Sequence, residues 1–379
     1  MGQLLLERQG RFRILGLCAC APFADGAAAL LHQSLSNESN WEDLVAAARR
    51  HRLVQPLLFT LKREGWLDRM DPVARCALEQ RAALEARRSL MTAGQVKRIW
   101  EAFQADGIDA LLLKGVGLTQ RLYGRLDMRG AGDIDILVRP DHLERAAARL
   151  TAMGLPRESW SQAGQPVGDA AEEDLVHHEV RHCCPSTGTV VEVHRRLTSN
   201  PHVLPWDFDT LWARHETVRI GGIAVPVLSS AQEPLYLLVH ALFHGWERLR
   251  WLADLAVMLR RPADMEAAIM AAAEIGLRPA LLHALALCRR WLGLPLPATV
   301  EAEIQDSLPA RAMELMARLA MADGSQTDLT REHWRTPLTY LRTRIGRYLL
   351  RQGLAGGRGY RLRELHYGLV KLRRRARMG

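Results

Sequence analysis

Two spacings of apolar residues divide the chain. From residue 40 to about residue 104, apolar side chains recur every three or four positions, and this spacing predicts amphipathic helices. Ser36 or Asn37 is the predicted N-cap of the first helix, while Asp71 followed by Pro72 is typical of the start of another. Helical spacing returns from Ala231 onward. The stretch between these helical parts has a different pattern.

In that central stretch, apolar residues alternate with polar ones, and glycines separate short runs. Alternation at period two predicts β-strands. Turn residues at 185–188 join two extended runs, and a pair of glycines lies within 218–228, so both places predict β-hairpins. The predicted strands include residues 110–113, 132–138 and 189–195.

The order of these elements predicts an α+β fold, in which helical domains flank a small mixed β-sheet. The chain has 379 residues, more than a usual single domain, so several units are expected. The predicted units are an N-terminal helical domain (1–104), an α/β core (105–229), a C-terminal helical domain (230–340) and a basic tail (341–379).

Carboxylates occupy alternate positions in the predicted strand at 132–138. Asp133 and Asp135 alternate with aliphatic residues, so their side chains are expected on one face, about 6.5 Å apart along the backbone. Glu192 and His194 share a face of the strand at 189–195. Clustered acids are costly unless a cation neutralises them, so we expect the three acids to converge on divalent metal. Taken alone, an Asp-x-Asp triplet is also common at solvated strand ends.

A turn at Lys114 and Gly115 lies between a predicted strand and a predicted helix over residues 117–123. Backbone N–H groups at such a turn, with the positive end of a helix behind them, form a phosphate cradle. Arg129, in the glycine-bearing connection before Gly132, is able to bind phosphate bidentately, and a solvated loop is the alternative. The glycine spacing fits neither a P-loop nor a dinucleotide-binding turn, so both classes are disfavoured.

Histidines also cluster in the predicted hairpin, at His178 and His182. On a strand these two side chains would share a face about 13 Å apart, whereas zinc needs each ligand nitrogen within about 2.1 Å. One ion cannot bridge that distance. We therefore interpret both histidines as strand residues, with one face of the strand available to line a cleft.

A polar stripe runs along a single long helix predicted from Glu233 to Arg260. His240, His244 and Asp254 fall on this stripe, while the remaining positions are mostly apolar. Helix–helix hydrogen bonding or the lining of a cleft is favoured over metal ligation, because the glutamate that follows the first histidine in zinc proteases is missing.

The net charge of +9 is concentrated in the C-terminal tail. Residues 342–379 hold twelve Lys or Arg and one acid, so this segment carries +11 and leaves −2 for the rest of the chain. Apolar and cationic residues mix there at helical spacing. A solvated tail is the first interpretation, contact with an anionic membrane surface the second, and nucleic-acid binding the least favoured.

The cysteines and the hydropathy pattern bear on the compartment. The six cysteines are scattered, which is typical of free thiols in a reducing environment. No apolar run reaches the 18 or so residues that span a bilayer, and charges interrupt the first 20 residues. We expect a cytoplasmic protein, and the tail adds the alternative of peripheral contact with the inner membrane.

Together these motifs resemble an uncharacterised bacterial branch of the DNA polymerase β-like nucleotidyltransferase superfamily. The resemblance covers about Trp41 to Leu259. The chain departs from the usual superfamily pattern in having Lys114-Gly115 where Gly-Ser is common, and Glu192 where Asp is common. The matching motifs are Leu113-Lys114-Gly115, Tyr123, Arg129, Gly132 to Val138, Val191 to His194, and the helix from His240 to Asp254.

The resemblance implies transfer of a nucleoside monophosphate from a nucleoside triphosphate, such as ATP, to a hydroxyl acceptor of unknown identity. It implies two Mg²⁺ ions held by Asp133, Asp135 and Glu192, about 3.5–4 Å apart. It further implies triphosphate contacts from Lys114, Gly115, Arg129 and Gly132, and an acceptor side lined by His194, His240, His244 and Asp254.

Two other functions stay open. One is a non-catalytic module that binds a nucleotide or a partner on a transferase fold. The retention of three clustered acids argues against this, because such acids destabilise a fold that does not use them. The other is phosphoryl transfer with the same metal site, which differs in releasing no pyrophosphate.

Overall fold

The computed structural model describes residues 2–20, 27–38, 40–158, 178–198 and 200–322. Within this part of the chain, fourteen α-helices accompany one mixed sheet of six strands, which confirms the α+β class and the helices flanking the sheet region. The described residues form two compact units. One comprises the residues up to Ala86 together with those from Pro234, and the other comprises Arg87–Glu233.

The helices are numbered in chain order, with short 3₁₀ turns at Leu67–Arg69 and Pro140–His142. The first seven are α1 (Gly2–Cys20), α2 (Ala27–Ser36), α3 (Trp41–His51), α4 (Val54–Arg63), α5 (Pro72–Ala105), α6 (Val116–Tyr123) and α7 (Leu143–Ala152). The next seven are α8 (Phe208–Trp212), α9 (Glu233–Phe243), α10 (Leu249–Met258), α11 (Pro262–Glu274), α12 (Arg278–Leu292), α13 (Ala298–Asp306) and α14 (Leu308–Ala322).

The sheet belongs to the Arg87–Glu233 unit. Its strands are β1 (Ala110–Leu112), β2 (Asp133–Val138), β3 (Glu179–Cys183), β4 (Val190–His194), β5 (Glu216–Ile220) and β6 (Ile223–Val227). Their order in the sheet is β3-β4-β2-β1-β6-β5. The β2–β4 and β1–β6 pairs are parallel, and the other three pairs are antiparallel. Both predicted hairpins are confirmed, as β3–β4 and β5–β6.

The two faces of the sheet differ in polarity. One face of β2 and β4 presents only aliphatic residues, which are buried against apolar residues of α5 and α7. Because successive side chains on a strand point to opposite faces, the acids of β2 and β4 lie together on the other face. The aliphatic face consists of Ile134, Ile136, Val138, Val191 and Val193.

In the other unit, α1 packs against α2, α4, α10 and α12, and α12 also contacts α11, α13 and α14. The predicted start of α5 is confirmed, since Oδ1 of Asp71 accepts hydrogen bonds from the N–H groups of Val73 and Ala74. The predicted cap of α3 was wrong. Asn40, not Ser36 or Asn37, is the N-cap, and its side chain accepts from the Asp43 N–H at 3.0 Å.

The single long helix predicted from Glu233 to Arg260 was also wrong, because the chain turns between α9 and α10. Gly245 and Trp246 both have positive φ, at 64° and 55°, and their N–H groups bond back to Leu242 and Ala241. A left-handed glycine of this kind ends many helices. Burial of the Trp246 ring offsets the backbone strain, since the side chain is fully buried.

The basic tail predicted for residues 341–379 lies outside the described residues. Among the helices that the structure describes, none is both long and apolar enough to cross a membrane. All six cysteines lie within described segments and are free thiols.

Candidate active site

The polar face of the sheet brings acids from two strands into register. Asp135 of β2 pairs with Glu192 of the parallel strand β4, so the two carboxylates lie side by side on one face. Beyond β4, the antiparallel strand β3 continues the row, with Arg181 opposite Glu192 and Glu179 opposite His194. Of the three acids predicted to converge, Asp135 and Glu192 lie together in this row.

His194 is buried at the centre of this cluster and contacts carboxylates on both sides of its ring. Its Nε2 atom lies 3.5 Å from Oδ1 of Asp135 and 4.0 Å from Oε2 of Glu192. Its Nδ1 atom lies 3.2 Å from Oε2 of Glu179. The Arg181 guanidinium lies 3.6 Å from the other oxygen of Glu192. One imidazole thus links three acids.

Lys114 approaches the cluster from the end of β1. The Leu113 N–H donates to the Asp135 carbonyl at 3.0 Å, and this places the next residue beside the Asp135 side chain. Nζ of Lys114 lies 3.1 Å from Oδ1 of Asp135. Gly115, which precedes α6, has φ 67° and ψ −127°, and a Cβ atom there would lie 3.1 Å from the Asp133 carbonyl oxygen. The turn therefore requires glycine.

The pKa values of the two paired acids, Asp135 and Glu192, shift in opposite directions. Burial alone would raise the pKa of Asp135, but the Lys114 ammonium and the His194 ring outweigh it, and the pKa is held below its usual range. For Glu192, burial and the negative charges of Asp135 and Glu179 raise the pKa to about 7. Burial lowers the pKa of His194, yet its contacts with Asp135 and Glu179 more than reverse this and leave it raised.

Asp133 occupies a different position from Asp135. It is the first residue of β2, its side chain is exposed, and it pairs with Val190 rather than with an acid. Of the described residues whose ligand atoms lie close enough to share a metal ion, one group contains Asp135, Glu192 and His194, and Asp133 is not in it. Its role as a metal ligand stays a prediction.

The predicted phosphate contacts lie near the start of β2. Arg129 is buried, in the connection between α6 and β2. Gly132 lies against Arg88 of α5, since a Cβ atom at Gly132 would be 3.1 Å from Nε of Arg88. The close approach of Arg88 was not anticipated, because no local spacing connects the middle of α5 with the turn before β2.

Asp135 and Glu192 fit the divalent cation that the family resemblance implies. Both carboxylate oxygens of Asp135 are buried, and neither accepts a hydrogen bond of good geometry from the described residues, despite the ion pair with Lys114. Ligand atoms of Asp135, Glu192 and His194 lie within 4.8 Å of one another. Clustered buried carboxylates favour a cation, and carboxylate oxygens are the ligands that Mg²⁺ prefers.

The predicted acceptor-side residues of the C-terminal helices lie in the other unit. The His240 and His244 rings are 4.6 Å apart, and the Trp251 ring packs against both, at 5.6 and 5.3 Å. Asp254 is buried on α10. The turn between α9 and α10, rather than one continuous stripe, brings these aromatic rings together. Their acceptor-side role stays a prediction.

The polar cluster includes His178 and Glu179, which the sequence did not single out for this site. The sequence predicted His178 as a strand residue that shares a face with His182, and it assigned no role to Glu179. The strand begins only at Glu179, and His178 turns toward His194, with the two ring centroids 5.6 Å apart. His182 instead lies buried on the opposite face, where Nδ1 is 2.8 Å from the Leu155 carbonyl oxygen.

A cavity of about 750 Å³ lies beyond the carboxyl ends of β2 and β4. It is lined by Leu137, which shares its strand face with Asp135, and by the segment that follows His194, including Arg196 and Trp206. This volume is within the range of small-molecule sites, about 300–1,000 Å³. The described lining of this cavity includes none of Asp135, Glu192 and His194.

Comparison with known protein families identifies the family of the chain. Residues 37–293 match a family described as "Uncharacterised nucleotidyltransferase", which covers more than half of the chain. The chain belongs to this nucleotidyltransferase family. Among curated proteins, nothing matches it.

The family match includes β2 and β4, and with them Asp135, Glu192 and His194. It supports a general transferase role with a nucleoside triphosphate as co-substrate. The matched region ends at residue 293, one residue after α12. The basic tail therefore lies outside the part of the chain that defines the nucleotidyltransferase family.

Proposed function

We propose that this protein is a Mg²⁺-dependent enzyme that transfers a nucleoside monophosphate from a nucleoside triphosphate to a hydroxyl acceptor. The observation that carries the proposal is the pairing of Asp135 with Glu192 on adjacent parallel strands, inside the region that matches the nucleotidyltransferase family. Two buried or half-buried acids side by side are an arrangement that a divalent cation stabilises.

Asp135 and Glu192 would hold the metal, with Asp133 as the third predicted ligand. Bound divalent ions would neutralise the triphosphate and lower the pKa of the acceptor hydroxyl. Lys114, which already lies 3.1 Å from Asp135, is placed to interact with phosphate charge at the same point. Backbone N–H groups at Gly115, at the start of α6, add the partial positive charge of a helix N-terminus.

The predicted contacts of Arg129 and Gly132 belong to the same triphosphate. The Gly132 backbone is approached closely by the Arg88 guanidinium, which adds a cation near the start of β2. Arg88, Arg129 and Lys114 would supply the positive charge that a triphosphate requires.

Glu192 is suited to handle the acceptor proton. With Mg²⁺ bound, the Glu192 carboxylate would accept the proton of a hydroxyl whose pKa the metal lowers. In the proposed reaction the acceptor oxygen forms a bond to the α-phosphorus and gives its proton to Glu192. The bond from the α-phosphorus to the bridging oxygen breaks, and pyrophosphate leaves with the electron pair.

Product analysis tests the proposal directly. Purified protein is incubated with Mg²⁺, each of the four nucleoside triphosphates labelled at the α-phosphate, and cell extract as a source of acceptors. We expect pyrophosphate release together with transfer of the α-label. Asp135→Asn and Glu192→Gln should each reduce pyrophosphate release by about 10²–10⁴-fold, since metal ligands supply several kcal/mol of transition-state stabilisation.

Glu144→Gln is the matched control, because Glu144 is an exposed acid on α7, away from the polar face of the sheet. Release of a nucleoside diphosphate instead of pyrophosphate would identify phosphoryl transfer. Nucleotide binding in a thermal shift experiment without turnover would identify the non-catalytic module. Full activity of Asp135→Asn would contradict the proposed metal site itself.

For residues 341–379 we propose contact with an anionic membrane surface, since twelve cations and one acid mix there with apolar residues. The full chain should co-sediment with vesicles that contain phosphatidylglycerol and not with pure phosphatidylcholine vesicles. A chain ending at residue 340 should lose this binding. Equal behaviour of both chains would indicate a solvated tail, and retention on RNA alone would indicate nucleic acid.

A further inference from the structure

A second cluster of metal-type ligands lies on the other side of His194 from the paired acids. His178 immediately precedes β3, Glu179 is its first residue, and the antiparallel register places Glu179 opposite His194. Nε2 of His178 lies 3.3 Å from Oε2 of Glu179, and Nδ1 of His194 lies 3.2 Å from the same oxygen. Ligand atoms of all three residues lie within 4.8 Å of one another.

We propose that His178, Glu179 and His194 bind a divalent ion of the Zn²⁺ class, through Nε2, a carboxylate oxygen and Nδ1 respectively. The site shares His194 with the proposed transfer site, but it needs no nucleotide to form. It uses the Nδ1 atom of His194, whereas the group with Asp135 and Glu192 faces the Nε2 atom.

The spacing of the ligand atoms fits a tetrahedral ion. Zinc lies about 2.0–2.2 Å from imidazole nitrogen and carboxylate oxygen, so two ligands at a tetrahedral angle are about 3.4 Å apart. The two nitrogen-to-oxygen distances, 3.2 and 3.3 Å, are close to this value before any adjustment. The third pair, Nε2 of His178 and Nδ1 of His194, lies within 4.8 Å, and side-chain rotation would bring it to this spacing.

The chemistry of the ligands selects the ion. Two imidazoles and one carboxylate are a combination that suits zinc, whereas Mg²⁺ and Ca²⁺ take oxygen ligands. Three protein ligands leave the fourth position of a tetrahedral ion for water or substrate. The side chains of His178 and Glu179 are 21% and 18% exposed, so an ion can enter from solvent.

Asp135 lies at the Nε2 atom of His194, and Glu179 lies at the Nδ1 atom. A metal-bound histidine usually donates its second N–H to a carboxylate, which fixes the tautomer and orients the ring. Nε2 of His194 faces Oδ1 of Asp135 at 3.5 Å, and a proton on Nε2 leaves the lone pair of Nδ1 directed at the cluster.

Ion pairing is the rival explanation, in which protonated histidines hold Glu179 without any metal. It predicts that the cluster stabilises the fold but binds no Zn²⁺. The two explanations therefore differ in a quantity that is measured directly.

The test uses the untagged full chain, stripped of metal by a chelator and free of nucleotide. Zn²⁺ affinity is measured by competition with a chromophoric chelator, and Co²⁺ is added separately to record the visible absorption that tetrahedral nitrogen and oxygen ligands produce. We expect one tight Zn²⁺ per chain. His178→Ala and Glu179→Gln should each weaken binding by about 100-fold or more, since even outer partners such as Asp135 are worth about 10–100-fold.

Two controls make the result specific. His202→Ala removes an exposed histidine of the same unit and should leave affinity unchanged. Cys184→Ser removes the thiol whose pKa is lowered to about 7 by hydrogen bonds from Ser186 and Thr187, and it should also have no effect. Circular dichroism in metal-free buffer confirms that each variant is folded.

Absence of Zn²⁺ binding, or equal affinity of wild type, His178→Ala and Glu179→Gln, would overturn the site. Loss of binding in Glu192→Gln without loss in His178→Ala would place the ion on the other side of His194 and would overturn it as well. Because no nucleotide is present, these outcomes are independent of whether pyrophosphate is released. Failure of the nucleotidyl transfer assay would leave a positive Zn²⁺ result intact.

Discussion

Nζ of Lys114 lies 3.1 Å from Oδ1 of Asp135, and this ion pair joins the end of β1 to the most buried acid of β2. The lysine side chain is 21% exposed, whereas that of Asp135 is 1% exposed. The buried Asp135 carboxylate depends on the Lys114 ammonium to compensate its charge, whereas the partly exposed ammonium is also solvated by water. The lysine is therefore both a compensating charge in the free protein and a cation available to a triphosphate.

Lys114→Met is expected to destabilise the protein by about 1–3 kcal/mol. Removing one partner of a fully buried ion pair costs about 3–5 kcal/mol, and the cost is lower here because Lys114 is partly exposed and His194 still faces Asp135. Urea unfolding followed by circular dichroism measures the change. Mg²⁺ should stabilise Lys114→Met more than the wild type, since it supplies the missing positive charge.

A double-mutant cycle provides the control for this prediction. Asp135→Asn removes the charge that Lys114 compensates, so the Lys114→Met/Asp135→Asn variant should recover most of the lost stability. Additive losses in the double variant would show that the ion pair contributes nothing, and that Lys114 acts through packing alone.

Asp133 and Asp135 should respond differently to substitution. Asp133 is exposed, so Asp133→Ala is expected to abolish transfer while changing the free energy of unfolding by no more than about 0.5 kcal/mol. Asp135→Ala should abolish transfer and also change stability, because it removes a buried group that pairs with Lys114. Pyrophosphate release and urea unfolding are measured on the same preparations. Transfer by Asp133→Ala at a measurable rate would remove Asp133 from the set of metal ligands.

The turn at Gly115 offers a test of backbone geometry. Its φ of 67° with ψ of −127° is a backbone conformation that residues with a Cβ atom rarely adopt. A Cβ atom at this position would lie 3.1 Å from the Asp133 carbonyl oxygen. Gly115→Ala should therefore cost about 1–3 kcal/mol of stability and lower transfer activity by displacing the start of β2.

Gly94 is the matched control for this substitution. It lies in the interior of α5, and a Cβ atom there would meet nothing within 4 Å. Gly94→Ala should stabilise the protein by up to about 1 kcal/mol, because alanine has the higher helix propensity. If both alanine variants behaved alike, the close approach of Gly115 to Asp133 would have no energetic consequence.

The sequence predicted the sheet well because one face of each central strand is apolar. Alternation over Asp133–Val138 and Val190–His194 set the strand positions, and it also placed Asp135 and Glu192 on a common face. What alternation does not determine is where a strand begins. Asp133 lies at the first position of β2 and is exposed, although it shares a strand face with the buried Asp135.

The same limit explains why His178 and Glu179 were missed as members of the polar cluster. The hairpin prediction was correct, but the place of Glu179 opposite His194 depends on the register across the 185–188 turn, which composition alone does not fix. His178 precedes the strand, so the two-residue period does not apply to it. In the C-terminal helices, Gly245 indicated a helix end. The apolar pattern continues past this glycine, and for that reason a single helix was predicted.

Trp246, the residue after Gly245, forms a buried hydrogen bond with His283, and this contact makes the stability of the protein depend on pH. The Trp246 indole N–H donates to Nε2 of His283 at 2.9 Å, and both side chains are fully buried. An imidazole that accepts this bond is neutral, and burial lowers the pKa of His283 from 6.5 to about 3. The unfolded chain binds a proton near pH 6.5, whereas the folded chain does not.

The contribution of neutral His283 to the free energy of unfolding is therefore fully present above pH 6.5. It is lost as the pH falls toward 3, by about 1.4 kcal/mol per pH unit. His283→Gln keeps a hydrogen-bond acceptor for Trp246 but does not titrate. Its free energy of unfolding should decline less steeply than that of the wild type between pH 6.5 and pH 4.5, measured by urea unfolding at each pH. The exposed His202→Gln should follow the wild-type slope, and an unchanged slope in His283→Gln would show that His283 is not held neutral by the fold.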